Sequence, residues 1–181
     1  YTYAKSKGNT EGYLKSDNGQ DDAGITQDFD YPGLMDGSFG YRPNDRRHSF
    51  KLFGAYRLTD ELRLGASLLA QSGRPINCFG VYPGDGPDPV APLHGVASFY
   101  CGEGTSVLVS YEDGLHPRGT SGRVPWVKIV DLRLDYEPRW AEGLSFGLVA
   151  NNVFNREDYY RVRDDWDTGA GDRVYSYKFP T

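Results

Sequence analysis

Alternation of apolar and polar residues along four runs is the feature that most constrains this chain. A period of two places successive side chains on opposite faces of a β-strand. The runs predict antiparallel strands near residues 48–58, 61–72, 127–137 and 143–155. Their apolar sets, each expected on one face of one curved sheet, are Phe50, Leu52, Gly54, Tyr56, Leu58; Leu62, Leu64, Ala66, Leu68, Ala70; Val130, Leu132, Leu134, Tyr136; and Leu144, Phe146, Leu148, Ala150.

The connections between these runs alternate between short and long. Tight turns are predicted at Thr59-Asp60 and around Arg139-Trp140, and a further strand is expected to run into Lys7 from the N-terminus. The stretch before His48 and residues 73–126 are long and rich in Gly, Pro, Asp and Asn, which predicts irregular, turn-rich loops at the surface. Short turns at one end and long loops at the other are typical of outer-membrane barrels.

Composition agrees with a strand-and-turn architecture. The chain has 14 Tyr and 9 Phe against one Met, together with 23 Gly. It has no run of about 18 apolar residues, so a transmembrane helix is excluded, whereas a barrel strand needs only about 10 alternating residues. We therefore predict an all-β fold, an antiparallel transmembrane β-barrel segment of about five or six strands with long extracellular loops. A net charge of −5 argues against a nucleic-acid partner.

Several segments carry a family resemblance. DDAGITQDFDYPGLMDG (21–37), RGTSGRVPW (118–126) and NNVFNRE (151–157) resemble the C-terminal β-barrel of TonB-dependent outer-membrane receptors, in particular the Oar-like branch. In that family a segment like Asp45-Arg46-Arg47-His48 opens a descending strand. A segment like Ser72-Gly73-Arg74-Pro75 closes the next ascending one. The combination covers nearly the whole chain, although each short segment alone is weakly specific.

The resemblance implies a location and a function. Residues 1–181 would be a partial barrel domain of a receptor in the cell outer membrane of a Gram-negative bacterium, with the N-terminal plug domain and the final strand absent. Such receptors take up scarce large solutes, for example a siderophore, an oligosaccharide or a peptide. The implied partners are outer-membrane lipid and lipopolysaccharide, the solute, and the TonB complex, which would act through the missing N-terminal part.

Two other functions fit the same pattern. A secreted β-rich adhesin or carbohydrate-binding module would use the long loops for recognition, but it would have to bury the apolar sets of its strands. A structural barrel without transport would lack the plug domain. An enzyme is not expected and no cofactor is implied, since His48, His94 and His116 are far apart and no nucleophile motif is present. His48 is interpreted as a residue at the entrance of a strand.

Two groups of residues are candidates for specific roles. In an exported chain Cys78 and Cys101 are expected to form a disulfide within the loop between Gly73 and Trp126, the alternative being two free thiols. Asp131, Arg133 and Asp135 alternate with apolar residues and are predicted to face the lumen of the barrel. In a soluble sandwich the same residues would form an ordinary solvated face. The ligand-binding residues are not identified by the sequence.

The remaining candidates each have a structural alternative. Arg46-Arg47 could bind lipopolysaccharide phosphates or pair with loop carboxylates such as Asp45. The carboxylates of residues 164–172 could bind Ca²⁺, but a solvated turn fits their spacing better, and no metal site is predicted. Six aromatic residues in or beside the loops could form a ligand platform, although loop packing or anchoring at the membrane interface is favoured: Phe79, Tyr82, Phe99, Tyr100, Trp126 and Trp166.

Overall fold

The computed structural model describes residues 1–9, 31–94, 98–102, 109–162 and 175–178. The only helices among these are short: α1 (Pro32–Met35) and a 3-10 helix (Ala91–His94). No helix in the described part of the chain is long and apolar enough to cross a membrane. The strands are β1 (Thr2–Tyr3), β2 (Lys7–Gly8), β3 (Gly40–Tyr41), β4 (His48–Arg57), β5 (Leu62–Gln71), β6 (Val127–Tyr136), β7 (Phe146–Ala150), β8 (Tyr159–Val162) and β9 (Tyr175–Lys178).

One antiparallel sheet of five strands, in the order β1-β4-β5-β6-β7, dominates the fold. It is open, with β1 and β7 at its edges, and the described strands do not close a barrel. Strands β2 and β3 form a separate pair, as do β8 and β9. The predicted all-β fold with an open sheet is therefore confirmed.

The predicted bounds of β4, β5 and β6 agree with the structure to within one residue at each end. The turn at Thr59-Asp60 is also present. It closes because the Leu58 N–H donates to the Leu62 carbonyl oxygen at 2.9 Å, while the Thr59 hydroxyl oxygen accepts from the Leu62 N–H at 3.1 Å. The second turn lies at residues 138–141, where the Ala141 N–H donates to the Pro138 carbonyl.

Two predicted strands were too long. The strand expected at 143–155 is only β7, because an asparagine turn follows it: Asn152 has a φ of 48°, its N–H donates to Asp131, and its side chain bonds the backbone of Arg156. The N-terminal strand is divided, since β1 pairs with β4 whereas β2 pairs with β3. The backbone leaves the main sheet after the Ala4 N–H donates to Arg47.

The buried apolar core lies in the loops and not between sheet faces. Residues 76–80 and 98–101 are buried and not at the surface, because their aromatic side chains pack against one another, whereas Gly84 and Asp85 are exposed as predicted. Ring centroids of Phe79 and Phe99 are 4.9 Å apart. The largely buried hydrophobic residues are Leu34, Ile76, Cys78, Phe79, Tyr82, Ala91, Phe99, Tyr100, Cys101, Val124 and Val127. Of these only Val127 belongs to a strand of the main sheet.

Cys78 and Cys101 lie within this core, with their sulfur atoms bonded and their Cα atoms 5.9 Å apart. We expect the exported protein to contain this disulfide. Mass analysis after alkylation without reduction should then leave both cysteines unmodified. A paired Cys78→Ser and Cys101→Ser variant should lower the stability of the loops by about 3 kcal/mol, because it removes a covalent tie across 23 residues. Two alkylated thiols in the untreated protein would contradict the prediction.

Candidate functional site

The apolar sets of four neighbouring strands meet on one face of the main sheet. In the observed register Tyr56 pairs with Leu64, Leu64 with Leu134, and Leu134 with Leu148. Directly paired residues point to the same side of a sheet, so each apolar set lies beside the next. The predicted single apolar face is confirmed; we call it the apolar face.

Nothing in the described part of the chain covers the apolar face. Leu52 of β4 is 71% exposed, and Leu148 of β7 is 67% exposed. Soluble monomers rarely expose a continuous apolar surface of this kind, because each such side chain is stabilised by about 1.5–3 kcal/mol when it leaves water. Burial of this face against an apolar surface would therefore be favourable.

Aromatic side chains mark both ends of the apolar face. At the loop end the Phe50 ring lies 4.6 Å from Tyr1 and 6.4 Å from Trp126, measured between centroids. At the turn end the rings of Tyr136 and Phe146 are 6.4 Å apart. Leucine, valine, alanine and Gly54 occupy the positions between these two aromatic belts.

The opposite, polar face carries Asp131, Arg133 and Asp135. The Arg133 Nε–H donates to Asp135 at 2.9 Å, and Asp131 accepts from the Asn152 N–H at 2.9 Å. Exposed apolar residues such as Val149 share this face, since Val149 pairs with Arg133. That this face lines a lumen stays a prediction.

A buried carboxylate joins the loops to the loop end of the sheet. The side chain of Asp45 is fully buried, and its Oδ1 accepts from Arg123 at 2.5 Å and from Arg47 at 3.3 Å. Its Oδ2 accepts from the Ser6 N–H at 2.7 Å. Burial alone would raise the pKa of Asp45, but the hydrogen bond from Arg123 and then that from Ser6 outweigh it and hold the pKa below its ordinary value.

The structure shows which partners Arg46 and Arg47 have within the chain. Arg47 pairs with Asp45, as in the structural alternative, while the Arg46 guanidinium donates to the Ser72 carbonyl at 3.2 Å. The neighbouring segment Ser72-Gly73-Arg74-Pro75 is also restricted in the residues it can contain. A Cβ atom at Gly73 would lie 1.5 Å from the Val124 carbonyl oxygen, so only glycine fits there.

The loop aromatics have the packing role that was favoured for them. Phe79, Tyr82, Phe99 and Tyr100 are each at most 1% exposed, whereas Trp126 lies in the aromatic belt at the loop end. Trp166 and the carboxylates of residues 164–172 lie outside the described residues. Among the residues that are described, no group of three or more His, Cys, Asp or Glu side chains could hold a metal ion.

The three histidines remain apart. His48 begins β4, as predicted, and accepts or donates a hydrogen bond of 2.8 Å with the Tyr1 hydroxyl. His94 stacks on Tyr31 with ring centroids 3.9 Å apart. His116 lies in the loops, where its N–H donates to the Phe99 carbonyl at 2.8 Å.

Two features of the loops were not found from the sequence. Arg118 is completely buried, donates to the Ser38 carbonyl at 2.6 Å and lies over the Phe99 ring at 4.9 Å. Asp36 accepts hydrogen bonds of 3.1 Å from the hydroxyls of Tyr100 and Tyr111. The only sequence signal was the high tyrosine content, because the partners are distant along the chain.

Comparison with known proteins gives one informative similarity. The chain is 30% identical over 161 residues to the TonB-dependent transporter Oar of Myxococcus xanthus. The aligned part is 86% of this chain but only 13% of that transporter, so the chain spans a small fraction of its relative. No family model matches, and no solved structure matches. The similarity supports the TonB-dependent receptor family at the coarse level.

The Asp45 network makes a testable prediction for the loops. Asp45→Asn should speed hydrogen exchange of the backbone amides in residues 118–126, because it removes the negative charge that pairs with Arg123. The expected loss of local stability is about 1–3 kcal/mol. Because the pKa of Asp45 is lowered, its contribution is present above about pH 4 and is lost as the pH falls through the folded-state value. The variant should lack this pH dependence.

The control for this measurement is Asp60→Asn. Asp60 also pairs with an arginine, Arg139, but its side chain is 70% exposed and lies at the turn end of the sheet. Equal effects of the two substitutions on residues 118–126 would show that Asp45 does not stabilise the loops specifically.

Proposed function

We propose that this chain forms part of the wall and of the outer loops of a TonB-dependent outer-membrane transporter. The observation that carries the proposal is the uncovered apolar face, which is in register across the strands and has an aromatic belt at each end. Bacterial outer-membrane barrels have an apolar band about 25 Å tall between two aromatic girdles. The similarity to a TonB-dependent transporter supports the same assignment.

The dimensions of the sheet agree with those of a membrane-spanning wall. Strands β4, β5 and β6 have 10 residues each. At about 3.4 Å per residue and a tilt of roughly 40°, such strands rise about 25 Å along the membrane normal. In this arrangement lipid chains contact the apolar face, and the short turns lie on the periplasmic side.

The polar face would then line the lumen through Asp131, Arg133 and Asp135. The folded loops would lie outside the cell, where the disulfide is compatible with an oxidising compartment. Lipopolysaccharide would surround the loop-end belt. Its phosphates would lie near the level of Arg46 and Arg47.

In this function the chain makes or breaks no covalent bond. The parent protein would capture a scarce large solute, such as a siderophore, an oligosaccharide or a peptide, and release it inward with energy passed on by the TonB complex. The contact with TonB would be made by an N-terminal part of that protein. A secreted adhesin or carbohydrate-binding module is the alternative, and the uncovered apolar face argues against it, since a soluble module has to bury that surface.

Two adjacent residues of β7 distinguish a membrane wall from a soluble module. Leu148 is 67% exposed and lies on the apolar face, while Val149 is 56% exposed and lies on the polar face. Leu148→Arg in the full-length protein should cost about 2–4 kcal/mol in the membrane and reduce the amount of heat-modifiable barrel in outer-membrane fractions. Val149→Arg should leave that amount nearly unchanged. A soluble module would tolerate both equally and would fractionate without detergent.

Cysteine labelling tests the lumen assignment directly. Asp131→Cys should react from water with a charged, membrane-impermeant maleimide, since its side chain would face the lumen. Leu132→Cys, one residue further along β6, should react only after the membrane is solubilised and the protein is denatured. Labelling of position 132 and not 131 in intact membranes would invert the proposed orientation.

A further inference from the structure

Four cationic side chains converge on one aromatic ring near the loop end of the main sheet. The Lys7 Nζ atom lies 4.4 Å from the centroid of the Tyr41 ring, and the Arg47 Cζ atom lies 4.6 Å from it. The Arg123 Cζ atom is 5.7 Å and the Lys5 Nζ atom 6.0 Å from the same point. We call these five residues the Tyr41 cation cluster.

The cations of this cluster come from separate parts of the chain. Lys7 lies beside Tyr41 because β2 pairs with β3. Arg47 and Arg123 are brought together by Asp45, whose carboxylate bonds both of them. A run of like charges along one segment is usually an ordinary solvated surface. Here the fold itself gathers the charges around one ring, at the cost of their mutual repulsion.

The positive charge of the cluster exceeds the negative charge that the described residues supply. Asp45 is shared between Arg47 and Arg123. No carboxylate in the described part of the chain forms an ion pair with Lys5 or Lys7. Both lysines are exposed, so a ligand can reach their ammonium groups from solution.

The phenol of Tyr41 reports the same excess of positive charge. A hydrogen bond from Arg47 is the largest cause that lowers the pKa of Tyr41, and the charges of Lys7 and Lys5 lower it further. Burial acts in the opposite direction and does not cancel these effects. The ring therefore lies in a positive electrostatic potential.

The chemistry of the cations selects one kind of ligand. Ammonium and guanidinium groups only donate hydrogen bonds, so the ligand has to accept them. A phosphate monoester offers three strong acceptor oxygens and roughly two negative charges at neutral pH, whereas a carboxylate carries one charge. Two exposed lysines backed by two arginines fit the phosphate better, because each lysine can then pair with its own oxygen.

We propose that the Tyr41 cation cluster binds a phosphate group, with the ammonium groups of Lys5 and Lys7 as its direct contacts. Arg47 and Arg123 remain on Asp45 and contribute positive potential. The phosphate belongs either to a soluble phosphate ester or to a lipid head group. Strand β1 leads from the belt residue Tyr1 toward these lysines, to the level where head-group phosphates would lie. Only the lipid source rests on the proposed function.

The full-length protein in detergent micelles provides the direct test. Phenyl phosphate should bind, as followed by calorimetry, and its affinity should fall as salt is added. Benzoate, which has the same ring but one negative charge, should bind at least about five-fold more weakly. Equal binding of the two anions would overturn the inference.

Lysine substitutions test the direct contacts. Lys7→Gln and Lys5→Gln should each weaken phenyl phosphate binding roughly five-fold, whereas Lys7→Arg, which keeps the charge, should stay within about two-fold. The matched control is Lys51→Gln, which makes the same change at an exposed lysine on the polar face of β4 and should leave binding unaltered. Unchanged binding in both cluster variants, or equal weakening in the control, would contradict the proposal.

Diphosphoryl lipid A and its dephosphorylated form distinguish the two sources of phosphate. Tighter binding of the phosphorylated lipid that is lost in Lys7→Gln indicates a lipid head group. Equal binding of the two lipids, with phenyl phosphate binding still sensitive to Lys7→Gln, indicates a soluble phosphate ester. A protein that is soluble without detergent but still binds phenyl phosphate through Lys7 would retain this site and lose the membrane assignment.

Discussion

The hydrogen-bond ladder between β5 and β6 is the constraint on which the rest of the structure depends. It pairs ten consecutive residues of each strand, from Leu62 with Tyr136 to Gln71 with Val127. A shift by one residue would turn every side chain of one strand to the other face. The apolar face, both aromatic belts and the separation of Asp131 and Arg133 from the leucines all follow from this one register.

Because no residue that the structure describes covers either face of the sheet, the buried apolar core lies in the loops. It is held together by aromatic packing around Phe99, by the disulfide, and by Arg118, whose charge is buried against backbone carbonyls and the Phe99 ring. Asp45 then attaches this core to the sheet by accepting from Arg123 and from the Ser6 N–H. The chain therefore combines an open sheet that has one apolar and one polar face with a separately packed assembly of loops.

The sequence predicted those parts of the fold that depend on local patterns. Alternation located β4, β5 and β6, since a period of two is a property of neighbouring residues. The end of β7 was missed, because Asn152 is held by Asp131 on the adjacent strand. The hydrogen bond from Tyr111 to Asp36 was missed for the same reason. Tyr111 and Asp36 are 75 residues apart, and no local pattern reports such a contact.

The short turn at Thr59 and the long loop of residues 72–126 imply that the strands pair at different rates. Hairpin β4–β5 closes through the turn at Thr59. Its contacts are local along the chain, so little conformational entropy is lost when the loop closes. Pairing β5 with β6 has to bring together the two ends of residues 72–126. The disulfide between Cys78 and Cys101 shortens the length of free chain that separates the two ends of this loop. A chain oxidised before it folds therefore has a smaller entropic barrier to pairing β5 with β6.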